Sequence, residues 1–379
     1  MRQIQMVDLT SQYLRLKKDI DDAIQEVLLS SAFINGQAVK DFANNLSKYL
    51  GCKHVIPCGN GTDALQIAMM ALGFKPGDEI IVPSFTYVAT VEVISLLGLK
   101  PVFVEVNKDT FNIDTNDLKD KITSRTVGIV PVHLYGQCAN MEELLKIGSE
   151  NNLKIIEDTA QALGAEYKFS DSSVKKAGTI GDVGTTSFFP SKNLGCFGDG
   201  GALMTNNDDL AEYCNMIANH GQKIKYHHDT IGVNSRLDTL QAAILNVKLK
   251  ELDDFAKRRN EVANKYNSAF ENNSFIKTPN ISPSSTHVYH QYTITLSKEI
   301  DRDKLKSSLA KKGVPTMVYY PIPVHLQKAY LKYGYKKGDF PISESLCHHV
   351  ISLPIHTEMN EGDQQFIIDT FLNEISKNV

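Results

Sequence analysis

Hydrophobic residues near the start of the chain recur with helical spacing, and farther along they gather into short runs. Between residues 10 and 50 the apolar side chains follow the period of an α-helix, with an interruption from Ser30 to Gly36, which predicts two helices. From residue 54 onward, short apolar runs typical of strands alternate with stretches of helical periodicity. Strands are predicted at 54–58, 79–83, 101–106, 127–132, 154–157 and 202–205, and helices at 64–72, 87–97, 141–149 and 208–219.

This alternation predicts an α/β fold, because strands separated by helices of this length form a mostly parallel sheet covered on both faces. Helices predicted at 236–255 and onward to 270 precede a polar stretch, rich in proline and serine, at 275–287. Beyond it, the pattern predicts strands at 289–296 and 314–319 and helices at 303–312 and 363–375. We therefore expect a large domain over residues 1–275, including the N-terminal helical segment, and a small α+β domain over residues 276–379.

Composition narrows the classes of protein. Apolar residues make up 42% of the 379 residues and charged residues 22%, as in ordinary globular proteins, and the net charge of −4 gives no case for binding nucleic acid or a membrane. The first residues lack a signal-peptide core and no apolar run could cross a bilayer, so we expect a cytoplasmic protein. The six cysteines are scattered, which favours a reducing compartment and argues against a bound metal or iron–sulfur cluster.

One lysine stands out because of its surroundings. Lys192 lies in the run Ser187-Phe188-Phe189-Pro190-Ser191-Lys192-Asn193-Leu194-Gly195, and the next charged residue is Asp199. An amine among apolar residues and glycines tends to have a lowered pKa and to act as a nucleophile. A surface lysine on a glycine-rich loop is an equally good interpretation of this segment alone. Ser-x-x-Lys, Gly-x-Ser-x-Gly and His-Glu-x-x-His motifs are absent from the sequence.

Other candidate residues follow predicted strands. The segment Gly59-Asn60-Gly61-Thr62-Asp63 precedes a helix, whose first N–H groups could bind a phosphate, although an ordinary helix cap explains it too. Asp158, beside Glu157, could hold a cationic ring nitrogen, coordinate a metal or cap the next turn. Tyr87 could stack on a flat ligand or pack in the core, and the polar loop 232–238 could simply cap a helix.

A lysine, an aspartate at a strand end, an aromatic residue and a phosphate-binding helix start fit one cofactor. Pyridoxal phosphate needs a lysine for its Schiff base and a carboxylate for its pyridinium nitrogen. It also needs donors for its phosphate and a platform for its ring. The combination therefore favours pyridoxal phosphate.

Over essentially its whole length, the sequence resembles the DegT family of nucleotide-sugar aminotransferases, which are pyridoxal-phosphate enzymes of fold type I. That fold has a large domain with a mostly parallel, seven-stranded-type sheet between helices, and a small C-terminal α+β domain. The resemblance is carried by Asn60-Gly61-Thr62-Asp63-Ala64-Leu65, Phe85-Thr86-Tyr87-Val88-Ala89-Thr90, Glu157-Asp158-Thr159-Ala160-Gln161, the Lys192 run quoted above, and Gly232-Val233-Asn234-Ser235-Arg236-Leu237.

The resemblance implies roles for the matching residues. Lys192 would form the Schiff base and move a proton during catalysis, and Asp158 would bind the pyridine nitrogen. Gln161 would bond the phenolic oxygen of the cofactor, and Tyr87 would stack on its ring. Glutamate is the expected amino donor.

The phosphate of the cofactor would be bound from two subunits. The resemblance implies a homodimer with shared active sites, in which the phosphate ligands are Gly61, Thr62, Ser187 and, from the partner subunit, Asn234. A sugar dehydratase of the same fold would have histidine in place of Lys192, and a non-catalytic regulatory protein would not need the intact set.

Segments outside the cofactor residues indicate which nucleotide sugar is the substrate. His220-Gly221-Gln222, Tyr226-His227-His228 and Tyr320-Pro321-Ile322-Pro323 resemble the branch that aminates C3 of UDP-2-acetamido-3-oxo-glucuronate for surface polysaccharides. That branch has histidine before the Tyr-Pro-Ile-Pro segment, whereas this chain has Tyr319, which keeps a dTDP-3-oxo-6-deoxyhexose open as the substrate. A 4-aminotransferase is a further alternative. The expected substrate contacts are Arg236, Tyr319 and His325.

Overall fold

The computed structural model describes residues 4–378. The helices are α1 (Leu9–Ser30), α2 (Gln37–Leu50), α3 (Gly61–Ala71), α4 (Ala89–Leu96), α5 (Thr115–Asp120), α6 (Met141–Asn151), α7 (Asp208–Ala218), α8 (Thr239–Leu249), α9 (Leu252–Phe270), α10 (Arg302–Lys311), α11 (Pro341–His349) and α12 (Glu361–Ser376). The strands are β1 (His54–Cys58), β2 (Glu79–Pro83), β3 (Lys100–Val104), β4 (Thr126–Ile129), β5 (Lys154–Asp158), β6 (Glu166–Lys168), β7 (Val174–Lys176), β8 (Val183–Ser187), β9 (Gly201–Thr205), β10 (Gln222–Ile224), β11 (His227–His228), β12 (Ile276–Lys277), β13 (Tyr292–Leu296) and β14 (Val350–Leu353).

A mostly parallel sheet forms the centre of the fold, as predicted. Within residues 4–378 its seven strands have the order β1-β9-β8-β5-β4-β2-β3. Strand β9 runs antiparallel to both of its neighbours, and the other pairings in the sheet are parallel. Every residue of β2 and β9 is buried, because helices cover both faces of the sheet.

Separate apolar clusters fill the two sides of the sheet. One contains residues of α3, α4 and α7, and another contains residues of α6. A third cluster joins α2 and α8 to Phe188 and Leu194, which flank the loop carrying Lys192. The loop is therefore anchored by buried side chains on both sides of the lysine.

The C-terminal part of the chain builds a second, smaller sheet. Strands β12, β13 and β14 pair antiparallel, and α9, α10 and α12 supply residues to the same apolar cluster. Tyr266 and Phe270 of α9 belong to this cluster, whereas Val324, Tyr330 and Phe340 pack against the core of the large sheet. The domain boundary at residue 275 stays a prediction, since the chain contributes to both cores on either side of it.

Two sequence-based elements differ from the structure. The helix predicted at 236–255 is divided into α8 and α9 by a turn, in which the Glu251 N–H donates to the Lys248 carbonyl at 3.0 Å. The apolar spacing continues across this turn, because Leu249, Leu252 and Phe255 are all buried. The strand predicted at 314–319 is absent from the described residues, where Met317 forms one isolated bridge to Ser352, a residue of β14.

Candidate active site

A cavity of about 710 Å³ lies where the parallel strands end. Strand β5 ends at Asp158 and β8 ends at Ser187, while β1 leads directly into Asn60. Ligands of open α/β sheets bind at this edge. The cavity lining brings together most of the predicted site residues, namely Gly61, Thr62, Tyr87, Asp158, Gln161, Ser187, Lys192 and Tyr319.

The start of α3 forms one wall of the cavity. The Asn60 side chain caps the helix by accepting the Asp63 N–H at 2.8 Å. The N–H groups of Gly61 and Thr62 precede the first intrahelical bond, so they are free to bind an anion at the positive end of the helix dipole. A Cβ at Gly61 would lie 2.8 Å from the Ser187 Cβ. Only glycine therefore allows this helix start to lie so close to Ser187.

The two carboxylates at the end of β5 differ completely in their surroundings. Glu157 is fully buried and accepts N–H groups of Gly178, Ile180 and Gly181 at 2.9, 2.7 and 2.7 Å. Asp158 lines the cavity, where its Oδ2 accepts the Thr90 hydroxyl at 2.8 Å and its Oδ1 accepts the Ala160 N–H at 3.1 Å. Asp158 is the carboxylate that a ligand can reach, and Glu157 braces a loop.

Lys192 projects from the loop after β8 into the same cavity. Removal from bulk water lowers the pKa of its amine to about 8, and the opposing attraction of Asp158 is weaker. Burial also lowers the pKa of Lys248 to about 8, but that ammonium donates to the Gly195 carbonyl at 2.7 Å and is not part of the cavity lining. Of these two lysines, Lys192 is the one that can meet a ligand in the cavity.

Gln161 and Tyr87 both line the cavity, but Gln161 is buried and Tyr87 is exposed. Gln161 is buried; its Oε1 accepts the Tyr135 N–H at 2.8 Å and its Nε2 donates to the Tyr320 hydroxyl at 3.1 Å. Tyr87 is 56% exposed, and its ring centroid lies 6.0 Å from that of Tyr320. A face of the Tyr87 ring is thus available for stacking, whereas the amide of Gln161 is fixed in place.

Three predicted residues lie outside the cavity lining. Asn234 is exposed and Arg236 is half-buried, with Ser235 between them bonded to the Gly59 N–H at 2.9 Å. His325 is fully buried; its Nε2 lies 3.2 Å from Glu344, and its ring packs against Phe340 at 4.7 Å. The position of His325 gives no support to the substrate contact predicted for it.

His290 and Gln291 also line the cavity, although the sequence patterns did not predict them as site residues. His290 is 8% exposed, and burial together with the charges of Lys192 and Arg259 keeps its pKa well below the ordinary value. Its Nδ1 and the Oε1 of Gln291 are buried without a hydrogen-bond partner among the described residues. Both residues lie in a stretch whose alternation indicated a strand, so no local signal separated them from core residues.

This set of residues fits pyridoxal phosphate. The helix start and Ser187 suit a phosphate, the exposed Tyr87 ring suits a flat heterocycle, and Asp158 and Lys192 face one cavity. Within residues 4–378, no group of three or more metal-ligating side chains and no helix capable of crossing a membrane is found.

The fold and the cavity define a pyridoxal-phosphate-dependent aminotransferase. The chain matches the DegT/DnrJ/EryC1/StrS aminotransferase family over residues 14–372 and belongs to it.

Relatives of similar overall length are spread over several organisms. The chain is 44% identical to the UDP-2-acetamido-2-deoxy-3-oxo-D-glucuronate aminotransferase of Pseudomonas aeruginosa, over 98% of this chain and 100% of the relative. It is also 44% identical to a pleiotropic regulatory protein of Geobacillus stearothermophilus, over 97% of each chain. It is 42% identical to the dTDP-3-amino-3,6-dideoxy-alpha-D-galactopyranose transaminase of Aneurinibacillus thermoaerophilus, over 97% of this chain and 98% of the relative.

Solved structures agree with this fold over the full chain. The DesV protein of S. venezuelae, in complex with a ketimine intermediate, superposes with a TM-score of 0.95 at 38% identity, covering 100% of both chains. NtdA of Bacillus subtilis, with bound pyridoxamine phosphate, has a TM-score of 0.90 at 32% identity and covers 99% of this chain and 86% of its own.

Proposed function

We propose that this protein transfers the amino group of glutamate to C3 of UDP-2-acetamido-3-oxo-glucuronate, in the biosynthesis of a surface polysaccharide. The observation that carries this proposal is the 44% identity, over almost the full length of both chains, to the Pseudomonas aminotransferase named for that substrate. The cavity supports it, because about 710 Å³ can hold a cofactor together with part of a nucleotide sugar.

The residues at the strand ends would hold the cofactor. Gly61, Thr62 and Ser187 would bind the phosphate through two helix-start N–H groups and one hydroxyl. Tyr87 would stack on the ring, and the Gln161 amide would donate to the phenolic oxygen. When bound, pyridoxal phosphate supplies an electrophilic carbon and a ring that accepts electron density.

Asp158 and Lys192 would carry out the proton chemistry. The Asp158 carboxylate, oriented by Thr90 and Ala160, would keep a proton on the ring nitrogen beside it. The Lys192 amine, with a pKa of about 8, readily gives up and takes back a proton at neutral pH. Lys192 would therefore act at Nζ as the base that takes a proton from Cα of the amino donor and then as the acid that delivers it to C4′ of the cofactor.

The site would be completed by a second copy of the chain. Asn234 is exposed and outside its own cavity, which is consistent with the family resemblance that gives it a phosphate contact in the partner subunit. Arg236 lies two residues on and would reach the sugar carboxylate in the same way, since paired Arg–carboxylate bonds are strong and directional. The protein would thus be a homodimer with shared sites, and we propose that it works in the cytoplasm.

A dTDP-linked 3-oxo-6-deoxyhexose is the second candidate substrate. Lys192 is the one lysine or arginine in the described lining of the cavity, and the Tyr319 hydroxyl in the same lining is an uncharged hydrogen-bonding group. A sugar without a carboxylate needs no further cation. The 42% identity to the Aneurinibacillus transaminase supports this alternative.

The test is amino transfer from glutamate to a panel of nucleotide sugars, with 3-oxo and 4-oxo members. We expect the highest kcat/KM with the 3-oxo uronate, and a loss for Arg236→Lys of about tenfold with that substrate alone. Arg258→Lys, in an ion pair with Asp254 on α9, is the matched control. Preference for the neutral sugar, or equal losses with both sugars, contradicts the uronate assignment. Absence of a visible cofactor band and of any turnover would favour a regulatory role.

A further inference from the structure

Helix α8 binds the loop that carries Lys192 through two side chains. Lys248 is 1% exposed, and its Nζ donates to the Gly195 carbonyl at 2.7 Å. Two turns earlier, the Gln241 Oε1 accepts the Phe197 N–H at 2.8 Å. The helix therefore fastens the loop at two points, three and five residues after Lys192.

Lys248 is an unusual choice for a buried contact. Among the described residues no carboxylate pairs with it, and its ammonium lies over the Phe197 ring, 5.0 Å from the centroid. A buried ammonium without a counter-ion is costly to desolvate, and an apolar side chain of similar volume commonly replaces such a group without loss of stability. A carbonyl dipole and a ring face offset only part of that cost. Packing alone gives no reason for a cation here.

The loop that Lys248 contacts is also held by its own backbone hydrogen bonds. The Lys192 N–H donates to the Phe189 carbonyl at 2.8 Å, and the Cys196 N–H donates to the Phe188 carbonyl at 2.8 Å. Any Cβ at Gly195 would overlap the Pro190 carbonyl, so the turn folds tightly on the segment before the lysine. The Gly195 carbonyl that Lys248 binds therefore belongs to a turn packed against the segment that leads to Lys192.

We propose that Lys248 is a positioning residue, whose ammonium holds the turn at Gly195 and so fixes where the Lys192 amine lies in the cavity. The inference rests on the role proposed for Lys192. The Lys248 ammonium binds the Gly195 carbonyl of the same chain and does not contact the substrate. A small displacement of a reacting amine costs much of the rate, because the reaction depends on the orientation of the amine.

The experiment compares holoenzyme variants by covalent trapping and by kinetics. Lys248→Met keeps the length of the side chain and removes the charge, Lys248→Arg keeps the charge, and Lys250→Met changes an exposed lysine of the same segment as a control. Each protein is treated with borohydride, the labelled peptide is mapped, and kcat and the KM for glutamate are measured. The pH midpoint of the cofactor absorbance is recorded for each.

We expect Lys248→Met to bind cofactor and to melt close to the wild type, while kcat falls by about 10- to 100-fold and trapping at Lys192 slows. The KM for glutamate should change much less, the absorbance midpoint should move, and Lys248→Arg should recover part of kcat. Lys250→Met should behave as the wild type. Phe197→Leu, at an exposed ring, should lower kcat by about threefold, because it removes the cation–π contact with Lys248 together with an edge contact to the Tyr13 ring.

Three outcomes overturn the inference. One is a Lys248→Met enzyme with wild-type trapping and kcat. Another is a loss that only follows the fraction of unfolded protein, with an unchanged absorbance midpoint. If Lys248→Met does not fold, an unaffected Phe197→Leu enzyme contradicts it. A label on another lysine in the wild type would instead overturn the role proposed for Lys192, so the two failures are distinguishable.

Discussion

At the scale of single residues, the environment gives different roles to side chains that carry the same functional group. Glu157 and Asp158 are neighbours in β5, and the alternation of a strand sends them to opposite faces of the sheet. Three N–H groups hold Glu157 in the core, while Asp158 faces the cavity with Thr90 and Ala160. The same contrast separates Lys248, which is bonded to a carbonyl, from Lys192, which faces the cavity.

The lowered pKa of Lys192 predicts how the cofactor-free protein responds to pH. The native amine loses its proton near pH 8, whereas the unfolded amine keeps it to about 10.5. Because the unfolded state binds more protons in this range, the stability of the wild type should rise between pH 8 and 10.5 relative to Lys192→Met. Urea unfolding of both proteins across that range measures the difference.

Lys248 is present in both proteins, so its own titration cancels from the comparison. A difference between wild type and Lys192→Met that stays constant from pH 8 to 10.5 would show that the native amine is not desolvated as the structure indicates.

At the scale of elements, the site depends on close contact between a helix start and a strand end. Helix α3 begins at Gly61 and β8 ends at Ser187, and the two meet without room for another carbon atom. The helix-start N–H groups that we propose to bind phosphate and the Ser187 hydroxyl are thereby brought to one point. This geometry makes a substitution at Gly61 a test of the element packing.

Gly61→Ala should lower both the stability of the cofactor-free protein and its affinity for pyridoxal phosphate. The added Cβ would lie 2.8 Å from the Ser187 Cβ, and overpacking of this kind costs about 1–3 kcal/mol. In the Ser187→Gly background that Cβ partner is gone, so the same substitution should cost little stability. Melting temperatures of the four cofactor-free proteins and titrations with pyridoxal phosphate provide the measurement. Purely additive losses would mean that the two elements are not in contact.

At the scale of the whole molecule, one chain leaves several large apolar side chains exposed. Leu29 in the last turn of α1, Ile34, Tyr226 and Ile231 are 77, 53, 79 and 84% exposed. Apolar surface of this kind is typical of contacts between subunits. Tyr226 and Ile231 shortly precede Asn234 in the sequence. The exposed apolar residues that would meet a partner are therefore close in sequence to Asn234, the residue predicted to bind the partner's phosphate.

Mixed dimers of Lys192→Ala and Asn234→Ala subunits should recover activity that neither variant has alone. A mixed dimer would contain one site with both residues intact, and random exchange of equal amounts gives about a quarter of the wild-type activity in a two-fold dimer. Activity is followed after unfolding and refolding the mixture, and native mass spectrometry confirms exchange. Mixed dimers without activity would exclude the sharing of Asn234 across the interface.

Local sequence determined much of this protein. The period of apolar residues predicted most helices and the parallel sheet, because an element that buries one face has apolar residues at regularly spaced positions nearby in the sequence. The glycines before α3 and the uncharged run around Lys192 pointed to pyridoxal phosphate for the same reason, because backbone freedom and a local lack of charge are visible within a few residues.

The tertiary structure decided what depends on residues far apart in the chain. It selected Asp158, whose partner Thr90 lies 68 positions away, and it fixed Gln161 against Tyr320, 159 positions away. It also brought His290 and Gln291 to the cavity and placed Lys248 beneath Gly195. Desolvation, pKa and the shape of a cavity arise from atoms contributed by several elements at once, and no pattern along a single stretch of sequence contains them.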